Sequence, residues 1–283
     1  MVFFIRCHEE PIIVPCAKED QVPFNEENYQ YEMKEECCRL LNVTRMYLYD
    51  SIKQVYDTTR TSYNYDAAGK LISTTTTSMG SDEIEQFLLY DQQGLHIGYD
   101  RWYGPDTLFS YNQKNQLEGY IWHDLGMGGP CVESIAYFHD SISVQLFYSG
   151  LYVTDKFYIN IHFNGNGNVK SRKSYKAIME NGEDTGRSFM SEEVTFTYDN
   201  FHKPVQRIFE ESKLTEGSLS QNNILIERGQ YYNQDGSKSE RRWNKKHEYE
   251  YNEFGYPVKK TTVYTTSEPF TSKYIETYEY DCD

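Results

Sequence analysis

The sequence is poor in the aliphatic side chains that fill a thick core: Leu, Ile, Val and Phe together number 60 of 283 residues. With a formal charge of −15, that alone would place the chain near disordered compositions. Long apolar runs are missing as well. None approaches the roughly 20 residues of a membrane-spanning helix, so no transmembrane segment of that kind is expected. Positive charge is scarce, with 28 Lys and Arg against 43 Asp and Glu. This excludes general nucleic-acid binding, which needs a cationic surface to neutralise phosphates, and disfavours an anionic lipid surface as partner.

Catalytic and metal signatures are also absent. The six cysteines (Cys7, Cys16, Cys37, Cys38, Cys131 and Cys282) form no C-x-x-C pair and no zinc spacing. Four of them lie in the first 38 residues. A local bridge from Cys16 to Cys37 or Cys38 and a set of free structural thiols are both open readings. No nucleophile elbow, H-E-x-x-H, Walker loop or dinucleotide fingerprint occurs. The acidic-looking turn Asn164-Gly-Asn-Gly-Asn168 lacks the charge of a calcium loop. No metal, no cofactor and no catalytic residue is therefore expected.

What the chain has is tyrosine, 27 of them. A tyrosine ring is a large apolar body whose hydroxyl must stay wet or find a partner, which suits sheets with one packed face. The rings recur in one unit: apolar, any residue, aromatic, then Asp or Asn. It occurs at Tyr47-Leu-Tyr49-Asp50, Tyr63-Asn-Tyr65-Asp66, Leu88-Leu-Tyr90-Asp91 and Phe109-Ser-Tyr111-Asn112. It returns at Ile161-His-Phe163-Asn164, Phe196-Thr-Tyr198-Asp199, Tyr249-Glu-Tyr251-Asn252 and Tyr278-Glu-Tyr280-Asp281. A ninth copy, Gln230-Tyr-Tyr232-Asn233, loses its first apolar residue.

Residues two apart on a strand share a face, so each pair of rings makes one apolar patch. Asp or Asn then opens a type I turn. Four residues after the second ring stands Gly69, Gly94, Gly167, Gly236 or Gly255, the structural turn residue for a left-handed bulge position in a hairpin. Asn115 and His202 fill that place in two copies, and the first copy has an ill-fitting Lys53. Strand formers follow, as in Lys70-Leu-Ile-Ser-Thr-Thr-Thr-Thr77. The fold expected is all-β, a repetitive antiparallel hairpin meander in the form of a large curved sheet or open barrel, with one N-terminal helix. Strand content above about 40% and helix below about 15% follow.

Tyr-x-Tyr-Asp-x-x-Gly resembles the core of the YD repeat of Rhs-like proteins and of tyrosine-rich bacterial surface lipoproteins. The resemblance covers roughly residues 45–283. It implies β-hairpin repeats and export, and not a toxin-enclosing shell, because the arginine-leucine usual after the glycine is missing and Gly69-Lys70-Leu71 comes nearest. Ahead of the repeats, residues 1–24 read as an extended arm with Pro11, Pro15 and Pro23. Residues 25–43 read as a helix capped by Asn25, with Tyr29, Met33 and Cys37 on one face. Residues 44–283 form the repeat domain. Met1-Val-Phe-Phe-Ile-Arg-Cys7 resembles the tail of an export signal, with Cys7 as a candidate lipidation site despite Arg6 before it.

The repeats are interrupted at His123–Pro130, Glu180–Glu193 and Ser212–Asn223, all read as loops. On that reading Gly186 tolerates valine better than Gly94 or Gly255. Trp102, Trp122 and Trp243 are candidate stacking platforms for a ligand, against the plainer role of filling a sheet surface. The functional expectation is an exported surface or periplasmic binding or scaffold protein, not an enzyme, with a glycan or protein ligand. A cytoplasmic toxin-neutralising partner protein is the first alternative, and a glycoside hydrolase with a carboxylate pair hidden in the fold is the second.

Overall fold

The computed structural model describes residues 38–50, 55–92, 96–101, 104–114, 116–122, 130–149, 154–180, 183–202, 220, 222–267 and 271–282. More than half of the chain lies in sixteen strands. They are β1 (Arg39–Asp50), β2 (Val55–Tyr65), β3 (Leu71–Ser78), β4 (Ile84–Tyr90), β5 (His96–Arg101), β6 (Gly104–Tyr111), β7 (Leu117–Trp122) and β8 (Pro130–Phe138). The second half continues with β9 (Ser141–Ser149), β10 (Thr154–Phe163), β11 (Val169–Glu180), β12 (Glu183–His202), β13 (Asn222–Tyr232), β14 (Lys238–Tyr251), β15 (Pro257–Thr266) and β16 (Thr271–Asp281).

Every strand pairs antiparallel with its sequence neighbours, and β1 pairs with β16, so the meander closes into a barrel. Closure leaves no sheet edge, so the expected antiparallel meander takes the form of a closed barrel in place of a curved sheet or an open one. The seam runs from Arg39 opposite Asp281 to Leu48 opposite Lys273, and a disulfide joins Cys38 to Cys282 at its end. The local bridge from Cys16 is thereby corrected where Cys38 is concerned; Cys7, Cys16 and Cys37 lie outside the described residues. β1 also corrects the expected helix, because Arg39–Val43 are strand, while 25–37 lie outside the described residues. Pairing with the last strand overrides the local helical pattern there. Another correction concerns Glu180–Glu193: β11 runs to Glu180 and β12 begins at Glu183, so most of this stretch is strand.

The repeat unit builds one end of the barrel. At Asp66, the backbone N–H donates to Lys70 O at 2.8 Å, Gly69 N–H donates to Asp66 O at 3.0 Å, and Oδ1 accepts the N–H of Ala68 and Lys70. Asn164 and Asn252 repeat the pattern. Gly69, Gly167, Gly236 and Gly255 have φ of +80°, +72°, +83° and +81°; Gly94 lies outside the described residues. In the described turns of this kind the strand register shifts at the second ring: at Tyr65, Tyr90, Tyr111, Phe163 and Tyr251. The first copy and the ninth, which depart most from the unit, both end at the opposite mouth, where β1 meets β2 and β13 meets β14. We call the two mouths the turn end and the loop end.

The tyrosine hydroxyls explain why the second ring is so often Tyr. Tyr65 donates to Leu40 O at 2.9 Å, Tyr90 to Leu71 O at 2.7 Å, Tyr111 to His96 O at 2.6 Å and Tyr280 to Pro257 O at 3.0 Å. Each acceptor is the first or second residue of the preceding strand. Each ring is thus half-buried against the core while its hydroxyl satisfies a carbonyl near a register shift. Tyr137 does the same to Leu117 O at 2.8 Å. It belongs to a tenth copy, Ile135-Ala-Tyr137, that lacks the Asp or Asn signal.

Six of the eight apolar first positions (Tyr63, Leu88, Phe109, Ile161, Phe196 and Tyr278) are buried in one core cluster on the inner face at the turn end, while Tyr47 and Tyr249 are half-buried. Gly186 proves to sit at φ +72°, because it lies in an irregular stretch of the β11–β12 pairing. The expected tolerance of Gly186 is therefore withdrawn. Gly186→Val and Gly255→Val are each expected to cost about 1–3 kcal/mol, since a β-branched residue is strained at positive φ. Thermal melts of the two variants that differ widely would contradict this.

Candidate functional site

From β12 through the seam to β1, the inner face changes from rings to charges a few residues away from the turn end. On β16 the ring positions Tyr280 and Tyr278 are followed by Glu276, on β1 Val43 is followed by Arg45, and on β14 Tyr249 is followed by His247 and Lys245. The register sets Arg45 opposite Glu276 and Glu276 opposite Lys260. Glu276, 1% exposed, accepts from Arg45 Nε at 2.8 Å and from Arg45 Nη2 on one oxygen. Its other oxygen is 3.0 Å from Lys260 Nζ and accepts the Tyr278 hydroxyl at 3.4 Å. The Arg45 guanidinium stands 5.9 Å from the centre of the Tyr47 ring and 5.7 Å from that of Tyr274.

A second cluster lies beside the first. Glu227 on β13 meets His247 Nε2 at 2.9 Å and Lys245 Nζ at 3.3 Å, and His247 Nδ1 is 2.8 Å from Thr262 Oγ1. Burial pushes both carboxyls up, but their partners outweigh it. Lys260 and Arg45 bring Glu276 down to about 2, and the His247 hydrogen bond with the Lys245 charge brings Glu227 down to about 2. Burial lowers the His247 pKa against the pull of Glu227. The imidazole is then neutral near pH 7, with its Nε2–H donated to Glu227 and Nδ1 accepting from Thr262. A general acid needs a carboxyl whose pKa is raised; Glu227 and Glu276 are held ionised instead. Among the described residues no group of His, Cys, Asp and Glu is arranged to hold a metal ion.

The three tryptophans fare differently. Trp102 lies outside the described residues, and Trp122 is the last residue of β7, paired with Thr107. Trp243 on β14 is opposite Gly229 on β13. Its indole crosses that strand, and Nε1 donates to Glu192 on β12 at 2.9 Å. Arg172 holds the other oxygen of Glu192 at 2.7 Å. A Cβ on Gly229 would fall 2.1 Å from the indole, so glycine is required by this approach. Lys245 Nζ stands 5.1 Å from the indole and Tyr264 packs 6.2 Å away, centre to centre. Trp243 is thus fitted into the wall. Gly229→Ala is expected to displace the indole, break its bond to Glu192 and cost about 1–3 kcal/mol by overpacking. Loss of one slow-exchanging indole N–H resonance, with a lowered melting temperature, is the readout.

The outer face of this wall is polar. Along β14 the outward positions are Arg242, Asn244, Lys246, Glu248 and Glu250. Lys246 pairs with Glu248 at 2.8 Å, and Lys259 on β15 pairs with Glu250. Sequence reasoning missed both the inner charges and the crossing of Gly229 by Trp243. A signal for the first was present, because Glu276 shares its strand parity with Tyr274, Tyr278 and Tyr280.

No protein-family model and no curated protein matches this chain. Among solved structures it is similar to a porin-like protein from Bacteroides uniformis ATCC 8492, at 12% identity and a TM-score of 0.51, over 86% of this chain and 96% of that one. A porin-like protein from Bacteroides vulgatus ATCC 8482 gives 13% identity and 0.47, over 86% and 98%. A TcdB2-TccC3-Cdc42 structure gives 12% and 0.26, over 76% of this chain and 14% of that one. The first likeness establishes a shared barrel fold. The lower scores add nothing to it.

Proposed function

We propose that this chain is an exported bacterial barrel that works in water as a binding or scaffold protein, and neither as an enzyme nor as a lipid-spanning pore. The observation that carries the reading is the partition of residues between the two faces of the sheet. A membrane barrel turns an apolar band outward and its polar residues inward. Here the rings and aliphatics pack inward at the turn end, and β14 points five polar or charged residues outward in succession. A lysine or arginine facing lipid at the bilayer midplane costs about 2–4 kcal/mol. Among the described residues Leu41, Ile72, Phe87, Leu108 and Phe138 are exposed apolar side chains, and Phe87 and Leu108 stand beside Glu85 and Ser110 on their strands.

Two further observations support the reading. The Cys38–Cys282 disulfide suits an oxidising compartment, which favours surface or periplasm over a cytoplasmic toxin-neutralising role. The ionised state of Glu227 and Glu276 gives no support to a glycosidase. A lipid at Cys7 belongs to the same proposal, as a tether for a barrel that stays in water.

The test is purification without detergent of a Cys7→Ser variant, which removes any acyl anchor. We expect a monodisperse barrel that does not float with liposomes. Discrete conductance steps on addition to a planar bilayer would overturn the proposal.

A further inference from the structure

The outer face of β12–β15 carries a shallow depression of about 610 Å³. Its floor is built from two rows of directly paired residues. One row is Thr195, Arg228, Asn244 and Thr265; the other is Glu193, Gln230 and Arg242. Arg228 and Arg242 are diagonal neighbours on adjacent strands, both exposed. Such neighbours lie about 7–8 Å apart at the backbone, within joint reach of one anionic group or of two spaced along a chain.

These two guanidiniums stand out on a protein of charge −15. Several outward cations have carboxylate partners, among them Lys173 with Glu193 at 3.5 Å, Lys246 with Glu248 and Lys259 with Glu250, while exposed Lys238 and Lys273 have none among the described residues. Among the described residues Arg228 and Arg242 have none either. Hydroxyls and amides surround them, from Thr195, Thr265, Ser267, Gln230 and Asn244. Trp243 and Gly229 add an apolar part to the lining.

We propose that this depression binds an anionic polysaccharide, with carboxylates or sulfates gripped by Arg228 and Arg242 and sugar hydroxyls bonded to the flanking amides and hydroxyls. The proposal rests on the water-facing reading above, since in a pore the same surface would meet lipid. An extended acidic peptide fits less well, because strand addition needs a free sheet edge and the closed barrel offers none. Nucleic acid fits less well again, because its dense charge meets a protein of like sign. A glycan with one charge per sugar or fewer matches two cations set among neutral donors and acceptors.

The full chain is titrated calorimetrically with polygalacturonate, dextran sulfate, neutral dextran and poly-glutamate at low and high salt. Binding to one or both anionic glycans is expected, weakened on the order of tenfold in Arg228→Gln and in Arg242→Gln, and lost in the double variant. The two glycan arms distinguish carboxylate from sulfate. Glu193→Gln, which removes the one acid of the floor, is expected to tighten binding several-fold, and Arg187→Gln, at an ion pair outside the depression, to leave it unchanged. Circular dichroism verifies the fold of each variant. Equal binding of neutral dextran, preferential binding of poly-glutamate, no anionic glycan bound at millimolar saccharide, or full binding by the double variant would each overturn the proposal. A soluble barrel that binds no anionic glycan refutes this inference alone, whereas channel activity in bilayers refutes the functional reading beneath it.

Discussion

Replacing Cys282 by serine is expected to lower the melting temperature by about 10 °C or more, with the strand content of the folded protein retained at room temperature. Cys38 and Cys282 are 244 residues apart in sequence. In the chain-entropy account, a cross-link closing a loop of that size removes about 5 kcal/mol of freedom from the unfolded chain. For a domain of this size each kcal/mol corresponds to roughly 2–4 °C. The native seam survives the substitution because nine residue pairs from Arg39–Asp281 to Leu48–Lys273 still join β1 to β16. Reduction with a thiol reagent is expected to reproduce the variant. A melting temperature unmoved by both treatments would mean that the cross-link contributes nothing to the closed barrel.

Glu276→Gln is expected to be nearly as damaging, at about 3–5 kcal/mol, although it changes one atom. Glu276 is the shared partner of Arg45 and Lys260, and its loss leaves two half-buried cations with no counter-charge. Pairing the substitution with Lys260→Met removes one of the stranded charges and is expected to recover part of the loss, which a double-mutant cycle measures. The same carboxyl sets the acid limit of the wild type. Its pKa is lowered from 4.5 to about 2 on folding, as is that of Glu227. The stability they supply is therefore complete above the unfolded pKa and lost as pH falls from about 5 towards 2, on the order of 3 kcal/mol for each. His247 adds in the same direction from about pH 6.5 downwards, because its folded pKa is the lower one. A melting temperature that stays flat from pH 6 to pH 3 would contradict the inner ion pairs.

The parts of this fold that were legible in the sequence are those made by neighbours in the chain. Asp66 to Lys70 forms its turn from its own side chain and glycine, so the unit could be read wherever it was spelled in full. Tyr137 was missed because its hairpin is a two-residue turn, with Phe138 directly opposite Ser141, which needs neither the Asp nor the glycine. Arg39–Val43 was misread because nothing local specifies a strand there; the partner, residues 278–281, is more than 230 residues away. The inner charges were hidden by the usual rule that Lys, Arg and Glu face water. What reverses the rule at Arg45, Lys260 and Glu276 is the ion pairing of both cations with the one carboxylate, and that exists only after three strands from opposite ends of the chain meet. Trp243 could be nominated as a special residue, but its reach to Glu192 across Gly229 is a property of three strands in register.

The position of the seam also has a consequence for how the molecule is made. Hairpins such as β2–β3 or β14–β15 join residues close in sequence and can form as the chain emerges, whereas the pairing of β1 with β16 must wait for nearly the whole chain. Until then β1 presents a bare row of hydrogen-bonding groups, open to another molecule's last strand as readily as to its own. Fidelity of assembly is therefore concentrated in one late event. At high concentration of newly made chains, the characteristic error is exchange of β16 between two copies, locked in by a Cys38–Cys282 bond formed between molecules instead of within one.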